Sequence, residues 1–162
     1  MIIRKCIIND ALIIYKELGC NPEMLQYTGW NPYSTLESTE QFLVNAINSD
    51  EDYSWVIEDN GEVVGTIGAY DYLSEDGSIE IGYSIFQKYW GKGYATHAID
   101  LVCSFFSSKE HIKCIKAWCA QENFASVKAL ERNGFKRTDD LAAALNVNGE
   151  KYTKVYYERY LE

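Results

Sequence analysis

The chain opens with apolar side chains on both sides of Arg4 and Lys5, which predicts a short strand over residues 2–8. Asp10 then stands where a helix cap is expected, and Leu12, Ile13, Tyr15 and Leu18 mark one apolar face before Gly19 ends the helix. Residues 21–35 hold both prolines and the cluster Tyr27-Thr28-Gly29-Trp30-Asn31-Pro32-Tyr33. Pro32 disfavours helical geometry at the residue before it, so this stretch is expected to be an aromatic loop. A second helix is expected from Ser34 or Thr35, with Leu36, Phe42, Leu43, Ala46 and Ile47 on one side.

Three strands follow, over residues 53–58, 63–72 and 78–86, separated by the turn signals Asn60-Gly61 and Glu75-Asp76-Gly77. Such short turns predict an antiparallel meander. Residues 94–106 place Ala95, Ala98, Ile99, Val102, Phe105 and Phe106 at helical spacing, and 114–119 form a short apolar strand. Strand, helix and strand in that order predict a parallel, right-handed crossover. A further helix spans 124–132 and closes at Asn133-Gly134, and a hairpin over 135–147 and 152–160 turns at Asn148-Gly149. Within it, Asp139-Asp140-Leu141-Ala142-Ala143-Ala144 has weak strand propensity.

The segment richest in chemistry joins the third meander strand to the next helix: Tyr89-Trp90-Gly91-Lys92-Gly93-Tyr94-Ala95-Thr96. A helix start exposes unpaired backbone N–H groups and the positive end of the dipole, and glycines let that backbone approach an anion. Lys88 and Lys92 add positive charge beside it. By itself G-x-G also fits a plain tight turn. A P-loop pattern does not occur, and a dinucleotide fingerprint requires a small residue where Thr96 stands and a parallel sheet before the turn.

Charge sharpens this picture. With 15 Lys and Arg against 24 Asp and Glu, the formal net charge is −9, which excludes the broad basic surface of a non-specific nucleic-acid binder and gives a weak attraction for a cationic acceptor. No stretch has the length of a membrane span or the layout of a signal peptide, so a single cytoplasmic domain over 1–162 is expected, without membrane partners and either monomeric or homodimeric. The five cysteines form no C-x-x-C pair and no cluster with the two histidines; buried free thiols and no metal are expected.

Glu80-Ile81-Gly82-Tyr83-Ser84-Ile85 followed by Tyr89-Trp90-Gly91-Lys92-Gly93-Tyr94-Ala95-Thr96 resembles motif A of the GNAT superfamily of acetyl-CoA-dependent N-acetyltransferases. The wording is nearest to its ribosomal-protein N-terminal (Rim) branch, and Asn123-x-x-Ser126, Gly134-Phe135 and Asn31-Pro32-Tyr33 extend the likeness over nearly the whole chain. It implies an α/β (α+β) fold: a mixed, mostly antiparallel seven-stranded sheet flanked by about four helices. It also implies acetyl-CoA as co-substrate and no metal. The pantetheine arm would pair with the backbone of Tyr83, Ser84 and Ile85, in place of a missing strand between 78–86 and 113–119. Amides of Trp90, Gly91, Lys92, Gly93, Tyr94 and Ala95 would hold the pyrophosphate, Lys88 stands where the family usually has Arg or Gln, and Asn123 would help position the cofactor.

Acetyl transfer from a thioester to an amine requires a proton acceptor for the ammonium and a hydrogen bond for the leaving thiolate. Glu80 is the candidate base, sharing a strand face with Gly82, which leaves room beside it for substrate; a solvated strand carboxylate is the alternative. Many family members carry a tyrosine where this chain has Leu130, so the resemblance hands the leaving-group role to Ser126, whose other reading is a helix cap. Tyr27, Trp30 and Tyr33 either line the acceptor pocket or pack in the core. The expected acceptor is a primary amine, foremost a protein or peptide α-amine. Alternatives are a small molecule such as an aminoglycoside, polyamine or amino acid derivative, or a non-catalytic acyl-CoA sensor.

Overall fold

The computed structural model describes residues 1–26, 35–49, 52–146 and 148–161. Its helices are α1 (Ala11–Ile14), α2 (Pro22–Leu25), α3 (Leu36–Asn48), α4 (Tyr94–Ser107) and α5 (Phe124–Arg132). Its strands are β1 (Ile2–Lys5), β2 (Tyr53–Asp59), β3 (Glu62–Leu73), β4 (Ser78–Ile85), β5 (Cys114–Ala120), β6 (Lys136–Leu145) and β7 (Lys151–Tyr160). They form one seven-stranded sheet in the order β1-β2-β3-β4-β5-β7-β6, in which only the β4–β5 pairing is parallel. This is the mixed, mostly antiparallel sheet that the resemblance implied. The extra helix is the single turn α2, where Asn21 caps Glu23 N–H and Pro22 fills a position that needs no donor.

Strand alternation divides the core between two faces. Trp55 and Ile57 of β2, Ile67 of β3, Ile79 and Ile81 of β4 and Ile115 of β5 pack under Ala98, Ile99, Val102 and Phe106 of α4 and Leu130 of α5. Val56, pointing the other way from its neighbours, joins Ala11, Ile14, Leu18, Met24 and Leu43 from the N-terminal helices, together with Phe86. Asn60 and Gly61 both take positive φ, 49° and 80°, as the tight β2–β3 hairpin requires. Thr35 caps α3 by accepting Ser38 N–H at 3.1 Å, the start the sequence indicated.

Local geometry departs from expectation at the N-terminus. The first strand stops at Lys5, and a 3₁₀ turn, α1 and a π-helical turn over Tyr15–Gly19 follow in succession. Ala11, Ile14 and Leu18, at i, i+3 and i+7, turn inward and Leu12 is left 49% exposed, so the buried face is not the Leu12, Ile13, Tyr15 and Leu18 face expected from the sequence. Asp10 does not cap α1; buried, it receives both terminal nitrogens of Arg4 at 2.9 Å and the Ile7 N–H. Cys20 is exposed, while Cys6, Cys103, Cys114 and Cys119 are buried as expected. The weak stretch 139–144 is nonetheless strand, because β7 supplies its partner and a register shift between Arg137 and Leu141 absorbs the acidic pair. Among the described residues no helix is long and apolar enough to cross a membrane.

Candidate active site

The site begins where two strands part. β4 and β5 are paired at Ser78 with Cys114, Ile79 with Ile115 and Glu80 with Lys116, and there the ladder ends. Beyond it β4 stays with β3, from Gly82 against Gly68 to Ile85 against Gly65, while β5 stays with β7 from Ala117 to Ala120. The sheet therefore opens between Tyr83–Ile85 and the end of β5, and a cavity of about 930 Å³ runs into the opening. Gly82, Tyr83 and Ser84 line it from β4, Trp118 and Cys119 from β5, and Asn123 and Ser126 from the start of α5.

At its mouth the chain turns from β4 into α4. Trp90 folds back, its indole N–H donating to Ile85 O at 2.6 Å. Gly91 and Gly93 then take φ of 75° and 81°, left-handed values that cost another residue roughly 1–2 kcal/mol. A Cβ built at either glycine meets no protein atom within 4 Å, so the cradle is open on that side. Gly93 is also the N-terminal boundary of α4, whose first bond of helical type runs from His97 N–H to Gly93 O at 3.1 Å. The amides of Tyr94, Ala95 and Thr96 thus precede the helical ladder and face outward as donors. Gly91, Gly93, Tyr94 and Ala95 all line the cavity, and this donor set fits a diphosphate.

The two lysines that flank the turn in sequence have other partners. Lys88 Nζ pairs with Glu17 at 2.9 Å, which raises its pKa, and Lys92 Nζ lies 5.3 Å above the Tyr89 ring. Among the described residues the cavity's own Lys and Arg side chains are Lys128 and Arg132 of α5.

Glu80 sits at the last β4–β5 pair, half-buried, with Tyr70 opposite on β3. Burial, then the charge of Asp71, push its carboxyl above the ordinary range, opposed by Lys154 and by hydrogen bonds from Trp118 and Tyr70. The space expected beside Gly82 is not free: a Cβ there would fall 2.6 Å from the Tyr70 hydroxyl. Gly82 is therefore small to admit the Tyr70 phenol, which lines the cavity, belongs to the residue paired with Glu80 across the β3–β4 ladder, and is itself pushed far up by burial and the Glu80 charge. Tyr70 is the residue that sequence reasoning missed. Its signal lay only in the β3–β4 register, which the intervening turn and the irregularity between Tyr70 and Leu73 conceal.

Asn123 is the α5 cap, its Oδ1 accepting the Ser126 N–H at 3.2 Å. Ser126 borders the cavity, and its backbone carbonyl accepts from the Tyr83 phenol at 3.4 Å, a link from β4 to α5 across the opening. Burial raises the Tyr83 pKa. Leu130 belongs to the core with 0% exposure. Tyr27, Trp30 and Tyr33 lie outside the described residues. The cavity is also lined by Met24 of α2 and Phe42, Asn45 and Ala46 of α3. Among the described residues no group of three or more His, Cys, Asp or Glu side chains is arranged to hold a metal ion.

Known proteins share this layout. The family model described as "Acetyltransferase (GNAT) domain" matches residues 1–136. YoaA of Bacillus subtilis (strain 168), an uncharacterized N-acetyltransferase, is 30% identical over 162 residues, covering 96% of this chain and 91% of that protein. The solved structure of spermidine N-acetyltransferase from Vibrio cholerae with CoA and spermine superposes with a TM-score of 0.88 at 21% identity, covering 98% of this chain and 94% of that one. RimL, a ribosomal alpha-N-protein acetyltransferase in complex with coenzyme A, gives 0.87 at 17% identity, with 98% and 93% covered. At those identities the structures speak for the fold, while the family model and the curated relative speak for descent. The chain belongs to the GNAT family of acetyl-CoA-dependent N-acetyltransferases.

Proposed function

We propose that the chain moves the acetyl group of acetyl-CoA onto a primary amine by direct attack, in the opening between β4 and β5. The observation that carries this reading is the conjunction of a ladder that ends at Glu80 with an open amide cradle at Gly91–Ala95. The cradle fits the diphosphate, and the edge of Tyr83–Ile85, which has no β5 partner and whose Ile85 carbonyl takes the Trp90 indole, fits the amide-bearing arm beyond it. When bound, acetyl-CoA supplies the thioester whose carbonyl carbon the amine attacks.

Glu80 takes the ammonium proton, directly or through one water. An aliphatic ammonium has a pKa near ~10, so a carboxylate raised above its usual range is better matched to that transfer than an ordinary one. Tyr70 and Trp118 temper the rise of the Glu80 pKa. Ser126 donates a hydrogen bond to the departing sulfur, while Asn123 fixes the first turn of α5 that carries it.

The acceptor we favour is a peptide or protein α-amine, supported by the likeness to RimL. The second reading is a small polyamine, supported by the spermidine N-acetyltransferase neighbour and by Glu23 and Asp52 in the cavity wall. Labelled acetyl-CoA assayed over N-terminal peptides and small amines tests both. Transfer to peptides with free α-amines, lost when these are blocked, is the expected result; turnover confined to polyamines selects the second reading, and a folded protein with no affinity for coenzyme A refutes both.

A further inference from the structure

Coenzyme A carries more negative charge than its diphosphate: a phosphate monoester on the ribose adds a further group that is largely dianionic near neutral pH. The amide cradle at Gly91–Ala95 accounts for the diphosphate alone. Nearby, Lys88 pairs with Glu17 and Lys92 lies over the Tyr89 ring, and neither is among the residues that line the cavity.

We infer that Lys128 and Arg132 form a second phosphate site, which takes the ribose phosphate of the coenzyme. This rests on the acyl-CoA reading above and deepens it. The two residues are one helical turn apart on α5, so their side chains rise from the same face. Both line the cavity and are exposed, and among the described residues neither makes an ion pair or a side-chain hydrogen bond.

Their helix is fastened to the phosphate turn. The buried Asn133 side chain donates to Thr96 O at 2.9 Å and to Ala129 O at 2.8 Å, tying the last turn of α5 to the first turn of α4. Thr96 closes the run of outward-facing amides, so the end of α5 that carries Arg132 is fastened to the start of α4, and Lys128 lines the same cavity one turn earlier. A guanidinium forms paired hydrogen bonds to phosphate oxygens and an ammonium supplies a mobile point charge. Favourable interaction with the helix dipole explains a cation at Arg132 but not one at Lys128, in mid-helix. On a chain of net charge −9, two unpaired cations turned into one cavity mark where an anion is received.

Affinities for coenzyme A and for 3′-dephospho-coenzyme A, measured by calorimetry on the full chain, test the assignment. Wild type is expected to prefer coenzyme A about tenfold, a ratio that shrinks as salt rises. In the double variant Lys128→Gln/Arg132→Gln the two affinities should converge, through weaker coenzyme A binding. Equal affinity of wild type for both ligands overturns the second site while leaving the acyl-CoA reading standing. A preference that survives in the double variant, or equal weakening of both ligands, also overturns it. Binding of neither ligand by wild type removes the acyl-CoA reading and this inference together.

Discussion

Gly82→Ala probes the contact that most reshapes the expected site. The added methyl falls 2.6 Å from Tyr70 Oη and 3.4 Å from the nearest ring carbons. The ring contacts are ordinary; the oxygen contact is not, and the half-buried Tyr70 is held by its strand pairing. Overpacking of this kind costs about 1–3 kcal/mol, and in a chain of this length each kcal/mol lowers Tm by about 2–4 °C. A loss of about 2 kcal/mol, hence ~4–8 °C, is expected by calorimetry or denaturant unfolding. Tyr70→Phe removes the offending oxygen and leaves only the 3.4 Å contacts. In that background Gly82→Ala should cost less than about 0.5 kcal/mol, so the double-mutant cycle should show a coupling of roughly 1.5 kcal/mol. The kinetic counterpart has a fixed sign. The Tyr70 hydroxyl lowers the Glu80 pKa, so Tyr70→Phe should move the acid limb of the kcat profile to higher pH. An equal cost of Gly82→Ala in both backgrounds would show that the phenol is not what fills the space, and the account of Tyr70 beside Glu80 would fall with it.

Further expectations bear on the rest of the site. Glu80→Gln should reduce kcat most near neutral pH and recover in part at alkaline pH, where the amine loses its proton unaided; an unchanged profile excludes Glu80 as the base. Because the folded-state pKa of Glu80 is raised above its ordinary 4.5, its contribution to stability is complete below that value and is lost as pH rises through the folded pKa. The Gln variant should therefore gain stability relative to wild type above that range and none well below it, as pH-dependent denaturant midpoints would report. Gly93→Val places a β-branched residue at φ 81° and a side chain in the open cradle, so both Tm and coenzyme A affinity should fall, by more than tenfold for the latter; wild-type affinity in calorimetry refutes the cradle. Asn133→Ala removes two buried hydrogen bonds and should cost about 2 kcal/mol in denaturant unfolding, with weaker coenzyme A binding; unaltered affinity would show that the α4–α5 clasp does not position the nucleotide.

Much of this protein was legible along the chain because its signals are local. Strand and helix periods are written in the side chains that each element buries, and the Asn60-Gly61 and Gly91–Gly93 turns depend on backbone preferences that glycine and asparagine carry wherever they stand. Motif order then sufficed for the sheet's character and for the strand-to-helix turn at Gly91–Gly93. Three-dimensional structure alone decided which side chains meet. Tyr70 reaches Gly82 and Glu80 through a register set by an irregular turn, and Lys88 is drawn to Glu17 from a helix whose pitch changes along its length. Lys128 and Arg132 enter the site because Asn133 clasps two helices remote in sequence. Periodicity tells each residue which way to face, but contacts between elements depend on register, pitch and crossing, which are settled only when the faces pack together.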